Sequence, residues 1–91
     1  MEYITKIEMI AKKYSEDELI GKLSERCSNL LQTALKVREC IKEGTYDTYE
    51  ENIELLHEKM AEFFICIYVL DSAGVISMEK IISIEDRKQF T

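Results

Sequence analysis

Apolar residues recur at helical spacing along almost the whole chain, and the strict alternation of polar and apolar residues that strands show is absent almost everywhere. Because residues three and four apart share one face of a helix, this period predicts amphipathic helices. The predicted helices cover residues 3–14, from Ser15 to about Lys42, from Thr48 to Gly74, and about 78–90. Two long helices joined by a short loop pack antiparallel. The expected fold is therefore all-α, a bundle of two long and two shorter helices.

Helix boundaries are predicted from capping residues. In a capping box, a Ser or Thr side chain and a Glu three residues later satisfy free N–H groups at a helix start. A glycine ends a helix cheaply because a residue without Cβ adopts the left-handed conformation readily. These rules predict that helices start at Ser15 with Glu18, at Thr48 with Glu51, and at Ser77. They predict that helices stop at Gly44 and Gly74. The linker between the two long helices is then Thr45, Tyr46 and Asp47.

The predicted helices differ in how much of their circumference is apolar. The short first helix carries a stripe on one side, formed by Ile4, Ile7, Ile10, Ala11 and Tyr14. The first long helix has a broader predicted buried side: Leu19, Ile20, Leu23, Cys27, Leu30, Leu31, Ala34, Leu35, Val37 and Ile41. The second long helix carries Ile53, Leu56, Met60, Phe63 and Phe64 at helical spacing, and residues 63–70 are apolar on every side.

A helix that is apolar on every side must be covered on every side. A chain of 91 residues has few elements that can supply this cover. We therefore expect a second copy of the chain to supply part of it, in a homodimer or homotetramer. The predicted subunit interface contains Phe63, Phe64, Ile67 and Leu70.

Length and charge limit the class of protein. A chain of 91 residues forms at most one domain, predicted here over residues 1–91. The net charge of −6 argues against non-specific binding to nucleic acid and to anionic membranes, because both need a basic surface. The longest apolar run has eight residues, far short of a membrane span. The beginning of the chain has no hydrophobic signal-peptide region, so we expect a cytoplasmic protein.

The residue types that most often carry chemistry give weak signals here. Cys27, Cys40 and Cys66 have no metal-type spacing, and within predicted helices they are expected to be reduced core residues. His57 lies between acidic residues on a turn that is expected to be exposed, with no Ser or Cys tied to it. A solvated histidine is the expected interpretation, rather than a general base.

Two stretches carry a more specific pattern. Residues 25–36 read ERCSNLLQTALK, and residues 52–67 read NIELLHEKMAEFFICI. Together they resemble the paired helices of the MazG-like, all-α nucleotide pyrophosphohydrolase family, especially its small phage and prophage members. The resemblance spans about residues 18–90. It implies an all-α bundle with an ExxE motif on the first long helix and an ExxD motif on the second, which together hold Mg²⁺ for cleavage of nucleoside triphosphates.

The spacing of those motifs has a physical reason. Residues three apart lie on one face of a helix, so two facing helices direct four carboxylates at one point. Mg²⁺ takes oxygen ligands, neutralises the triphosphate and assists the attack of water.

This chain departs from the family pattern at the ligand positions. The ExxE positions fall on Arg26 and Asn29, and the ExxD positions fall on Lys59 and Glu62. Only one of four expected carboxylates is present. Glu25 and Glu58 each lie one residue earlier, which is about 100° around the helix, too far for either to take over in place.

Three functions stay open at this point. The first is an inactive family member, without a metal cofactor, in which Arg26 or Lys59 pairs with Glu62. The second is a metal-free nucleotide or phosphate binder that uses Arg26 and Lys59, with Asn29 and a further cation, Arg87, as weaker candidates. The third is an active Mg²⁺-dependent enzyme with a displaced site built from Glu25, Glu54, Glu58 and Glu62, in which Glu58 and Glu62 are the fallback metal ligands.

Overall fold

The computed structural model describes residues 2–90, and these fold into four helices without a strand. The helices are α1 (Glu2–Lys13), α2 (Glu16–Glu43), α3 (Tyr46–Ser72) and α4 (Met78–Glu85). The prediction of an all-α fold is confirmed. Met1 and Thr91, the two ends of the domain predicted over residues 1–91, lie outside the described range. Within that range, every helix is too short or too polar to cross a membrane.

Helices α2 and α3 form a hairpin, and α1 lies against α3. The buried core lies near the end of the hairpin that is remote from its turn, where α1 meets the two long helices. Its members are Ile7, Leu19, Cys66, Val69 and Leu70, with Ile10, Ala11, Tyr14, Leu23, Val75 and Ile76 packed around them. Helix α4 follows the loop after α3 and has no buried residue.

Several predicted helix ends are confirmed. The backbone N–H of Ser15 donates to Glu18 Oε1 at 2.9 Å, and the N–H of Glu18 donates to Ser15 Oγ at 3.2 Å, which completes the capping box. Ser77 caps α4 by accepting a hydrogen bond from the N–H of Lys80 at 3.3 Å. Gly44 and Gly74 have φ of +71° and +76°, the left-handed conformation that glycine adopts without steric cost.

The predicted N-cap of α3 at Thr48 is wrong by three residues. The helix begins at Tyr46, and Thr45 is an N-cap whose side chain makes no capping hydrogen bond. Gly44 reverses the chain at once, and the N–H of Thr45 donates to the carbonyl of Cys40 at 3.1 Å. The new helix therefore starts immediately. Thr48 lies in its first turn, with Oγ1 donating to the carbonyl of Thr45 at 3.1 Å.

The predicted end of α4 at Phe90 is also wrong. The helix ends at Glu85, and the N–H groups of Arg87 and Lys88 each donate to a carbonyl three residues earlier. All side chains in residues 79–90 are exposed. Within the described part of the chain, little packing is therefore available to stabilise a longer helix at this end.

The predicted buried side of α2 is only partly correct. Leu19 and Val37 are buried, and Leu23 and Leu30 are partly buried. The remaining predicted core residues of α2 are exposed in the single chain: Ile20, Cys27, Leu31, Ala34, Leu35 and Ile41. Thr33 and Cys40 are buried on the side that faces α3. Thr33 can be buried because its hydroxyl donates to the carbonyl of Asn29 at 2.9 Å.

Candidate functional site

A cleft of about 240 Å³ lies between α1, α2 and α3. Its walls are mostly apolar and come from all three helices. Its charged groups, Lys22, Arg26 and Glu62, come from α2 and α3. The residues that line it are Ile10, Tyr14, Leu19, Lys22, Arg26, Glu62, Ile65, Cys66 and Val69.

Helical periodicity explains why these polar residues meet. Lys22 and Arg26 are four residues apart on α2, and Glu62 and Cys66 are four residues apart on α3. Residues at this spacing lie on one face of a helix. The antiparallel hairpin therefore directs one pair from each long helix into the same cleft.

Glu62 forms an ion pair with Lys59, one turn earlier on α3. Lys59 Nζ lies 3.3 Å from Glu62 Oε2, and the two side chains are 28% and 41% exposed. The Oε2 atom itself is buried and has no hydrogen-bond partner, because the lysine meets the distance for an ion pair but lies outside hydrogen-bonding geometry. The charge of Lys59 is thus the main compensation for this oxygen.

Arg26 is the second cation at the positions that the MazG-like resemblance aligns with metal ligands. Its side chain is one-third exposed, and its Nη1 lies 3.7 Å from Oε1 of Glu25. Burial raises the pKa of the Cys66 thiol above its ordinary value, against a smaller lowering by the positive charge of Arg26. Cys66 therefore lines the cleft as a neutral thiol at neutral pH.

These residues do not fit Mg²⁺. The ion needs several oxygen ligands, and nearby positive charges repel it. Arg26 and Lys59 are cations at two of the four positions, and the carboxylate of Glu62 is already paired. The side chain of Asn29 adds no charge. These four side chains therefore do not support a reaction step that uses a bound metal ion.

The displaced carboxylate site is not assembled. Glu25 lies beside Arg26, and Oε1 of Glu54 lies 3.8 Å from Nδ1 of His57 on the surface. Glu58 is exposed. Across residues 2–90, no three His, Cys, Asp or Glu side chains come together in a way that could hold a metal ion.

Comparison with family models, with curated proteins and with solved structures found no match. The resemblance to the MazG-like family therefore stays a prediction, and it rests on the residues of α2 and α3.

The three cations predicted to bind phosphate do not form one site. Arg26 lines the cleft, and Lys59 pairs with Glu62 beside it. Arg87 follows α4, where its Nε donates to the carbonyl of Ser83 at 3.4 Å. It lines a separate shallow hollow on α4, together with Glu79, Lys80, Ser83 and Ile84.

The sequence interpretation missed Lys22 and Tyr14. Lys22 Nζ lies 4.6 Å from the centre of the Tyr14 ring, within the range of a cation–π interaction. The spacing of Lys22 from Arg26, one turn earlier on the same face, was an available signal. Tyr14 carried no such signal, because its place in the cleft depends on how α1 crosses α3.

The four residues predicted for a subunit interface have different exposures. Leu70 is completely buried in the core of the single chain, so it has no surface to offer to a partner. Phe63 and Ile67 are partly buried. Phe64 is about half exposed, and its ring centre lies 6.2 Å from that of Phe63.

Proposed function

We propose that this chain is a MazG-like helical protein without nucleotide pyrophosphohydrolase activity, which acts as a non-catalytic binding module. The observation that supports this proposal is the ion pair between Lys59 and Glu62 at 3.3 Å. In an active family member these two positions would carry carboxylates for Mg²⁺. Here Lys59 occupies one of these positions, and its ammonium group neutralises the carboxylate of Glu62 at the other.

The electrostatics disfavour a metal in this cleft. A divalent cation would have to displace the ammonium group of Lys59 from the buried Oε2 atom of Glu62. It would also meet the positive charges of Arg26 and Lys22, which line the same cleft. Like charges in a partly buried site repel more strongly than in water. The pair of Lys59 and Glu62 therefore has a structural role. The chain keeps the helical bundle and lacks pyrophosphohydrolase activity.

A restoration experiment tests this proposal. The variant Arg26→Glu/Asn29→Glu/Lys59→Glu/Glu62→Asp returns a carboxylate to each family ligand position. We expect Mn²⁺ to bind this variant and not the wild type, measured by isothermal titration calorimetry. The control Gln32→Glu/Lys36→Glu/Lys42→Glu makes the same change in net charge at exposed positions of α2. Mn²⁺ binding by the wild type that is lost in Glu62→Gln would contradict the proposal.

A second candidate function is phosphate binding without a metal. It is favoured by the placement of Lys22 and Arg26 in one cleft with mostly apolar walls. A guanidinium group binds phosphate through two parallel hydrogen bonds, and an ammonium group binds it as a point charge. The walls from Tyr14 and Ile65 offer apolar surface beside these charges.

Calorimetric titration with nucleoside mono-, di- and triphosphates tests the second function. If it is correct, heat of binding appears without Mg²⁺, disappears in Arg26→Met and persists in Arg87→Met. The Arg87 variant is the matched control because that residue lies outside the cleft. The absence of heat for all three nucleotide classes rules this candidate out and leaves the first.

A further inference from the structure

We propose that the cleft between α1, α2 and α3 binds a small organic anion with one negative charge and an apolar body, such as a carboxylate with an aliphatic tail. The charged group lies against Arg26 and Lys22, and the body lies against the apolar walls. This inference rests on the proposed function as a non-catalytic binding module and narrows that function to one class of ligand.

The cleft has a charged end and an apolar end. Arg26 and Glu62 line it from the two long helices, and so do Leu19 and Val69. Seven residues separate Leu19 from Arg26 on α2, and seven separate Glu62 from Val69 on α3. Because α2 and α3 run antiparallel, Arg26 and Glu62 lie at one end, and the two apolar residues lie at the other. At a rise of 1.5 Å per residue, the ends are roughly 10 Å apart.

The apolar end offers a surface without charge. Leu19 and Val69 are buried members of the core, and Ile10 of α1 packs against that core. Cys66 lines the cleft beside them, and burial raises the pKa of its thiol, so the thiol is neutral at neutral pH. Apolar groups gain free energy when they leave water for such a surface. This end therefore favours the hydrocarbon body of a ligand over a second charged group.

Two cations of α2 are available to an anion. Lys22 Nζ lies 4.6 Å from the centre of the Tyr14 ring, a contact that leaves its charge in place. Arg26 Nη1 lies 3.7 Å from Oε1 of Glu25, whose side chain is two-thirds exposed, and such surface pairs are weak. A carboxylate binds a guanidinium group more strongly, because it accepts two parallel hydrogen bonds from it.

The carboxylate of Glu62 does not exclude an anion from the cleft. Its Oε2 atom is buried 3.3 Å from Nζ of Lys59. Lys59 is not one of the residues that line the cleft, so it neutralises Glu62 from outside. The ammonium group of Lys22 and the guanidinium group of Arg26 therefore give the cleft a positive potential.

The size and charge of the cleft select a ligand smaller than a nucleotide. Its volume is about 240 Å³, below the roughly 300–1,000 Å³ of typical small-molecule pockets. Even if Glu62 is counted against Lys22 and Arg26, the lining carries one net positive charge. A single negative charge balances that lining, whereas a nucleoside triphosphate carries several. A monoanion with one apolar body matches both the volume and the charge.

Titration of the wild-type protein with octanoate, without a metal, tests this proposal. Amide chemical shifts of ¹⁵N-labelled protein give the affinity and the site, and we expect shifts around Lys22, Arg26 and Cys66. Hexanoate should bind more weakly, by roughly fourfold for each CH₂ group removed. Octylammonium, which has the same tail and the opposite charge, should not bind. The absence of shifts with octanoate overturns the proposal, and so does equal binding of octylammonium.

A pair of matched variants tests the role of the cleft cations. Arg26→Met should weaken octanoate binding by roughly tenfold or more, because a charge-assisted hydrogen bond is lost. Arg38→Met makes the same change at an exposed position of α2 outside the cleft and should bind as the wild type does. Lys22→Met gives the same test if Arg26→Met loses its helical circular dichroism. Wild-type affinity in a folded variant of either cleft cation overturns the proposal.

The results distinguish this proposal from the proposed function. Mn²⁺ binding or triphosphate turnover by the wild type contradicts the non-catalytic role, whatever octanoate does. Failure of octanoate to bind a protein that also binds no Mn²⁺ overturns only the ligand class. Tighter binding of adenosine monophosphate than of octanoate also overturns the ligand class, and it supports the second candidate function.

Discussion

Glu62 is the one carboxylate among the four positions that the MazG-like resemblance aligns with metal ligands, and its Oε2 atom is buried beside Lys59. The side chains of both residues are partly exposed, so solvent screens the pair and limits its contribution to stability. The pair is the basis of the proposal that the cleft holds no metal, because the ammonium group of Lys59 already lies 3.3 Å from this buried oxygen. At the scale of residues, the proposed absence of activity therefore rests on the cations at positions 26 and 59 and not on a change of fold.

A double-mutant cycle tests the coupling between Lys59 and Glu62. Lys59→Met should lower the free energy of unfolding by about 1 kcal/mol, because it leaves Glu62 Oε2 without its compensating charge. Lys59→Met/Glu62→Gln should lose less than the sum of the two single variants, with a coupling energy of about 0.5–1 kcal/mol. Urea denaturation followed by circular dichroism measures all four proteins. Strict additivity would show that the pair is not formed in solution.

The capping box at the start of α2 predicts a dependence of stability on pH. The hydrogen bond from the backbone N–H of Ser15 lowers the pKa of the Glu18 carboxyl below its ordinary value. A lowered pKa in the folded state stabilises the protein above the unfolded-state pKa, and this contribution is lost as the pH falls through the folded-state pKa. The stability of Glu18→Gln should therefore fall below that of the wild type at neutral pH and approach it in acid.

Thermal unfolding at a series of pH values checks this prediction. Asp17→Asn is the control, since it removes a carboxylate from the same first turn without touching the hydrogen bond of Ser15. A difference between Glu18→Gln and wild type that widens in acid would contradict the argument.

Each helix of this fold ends where the backbone turns or where its apolar side chains are no longer packed against another helix. Gly44 ends α2 in the left-handed conformation, with its N–H donating to the carbonyl of Cys40. Helix α4 stops at Glu85 because the residues that follow have nothing to pack against. Helix α3 continues for 27 residues because its apolar side is covered by α2 and α1 along much of its length.

Two glycines of α2 should respond to the same substitution with opposite signs. Gly44→Ala should destabilise by about 1 kcal/mol, because alanine is strained at a φ of +71°. Gly21→Ala should stabilise by about 0.5–1 kcal/mol, because alanine favours the helix interior and its Cβ would meet nothing within 4 Å. Chemical denaturation of both variants gives the comparison. The same sign for both would refute the assigned backbone conformations.

The existence of each helix was predictable, whereas some boundaries and faces were not. Helical periodicity identifies all four helices, and the capping rules place the starts at Ser15 and Ser77. The earlier start of α3 at Tyr46 accompanies a backbone hydrogen bond from Thr45 to Cys40, and Thr45 makes no side-chain capping bond that would mark it in the sequence. The apolar stripe of α2 was too wide to reveal which half faces α3, so exposed Leu31 and Leu35 were predicted as core.

The candidate site was also predictable only in part. The pairing of Lys59 with Glu62 was one of two pairings predicted from the sequence, the other being Arg26 with Glu62, because one cation can neutralise one buried carboxylate. Lys22 lines the cleft because it lies one turn from Arg26 on the same face of α2, but the sequence interpretation did not name it as a site residue. The contribution of Tyr14 could not be predicted, because it requires the crossing of α1 over α3.

The whole molecule has two separate surfaces on the hairpin. The cleft with Lys22 and Arg26 lies on the side of α1, and exposed apolar side chains lie elsewhere on α2 and α3, among them Leu31, Leu35 and Phe64.

Stability that depends on association should vary with protein concentration. For a dimer that unfolds to two single chains, mass action raises the melting temperature as concentration rises. We expect a higher melting temperature at high concentration for the wild type, since the sequence predicts a homodimer or homotetramer. Differential scanning calorimetry over a hundredfold range of concentration measures this shift. A melting temperature that is independent of concentration would place all of the stability within the single chain.

The most direct test of the proposed lack of activity is turnover of nucleoside triphosphates by the wild type. Pyrophosphate release is measured with a coupled pyrophosphatase, over a panel of nucleotides, in Mg²⁺ and in Mn²⁺, with an active pyrophosphohydrolase as the positive control. We predict no release above the rate without protein, and no change in Glu62→Gln. Clear turnover that Glu62→Gln abolishes would contradict the account, because it would mean that Glu62 is free to hold a metal.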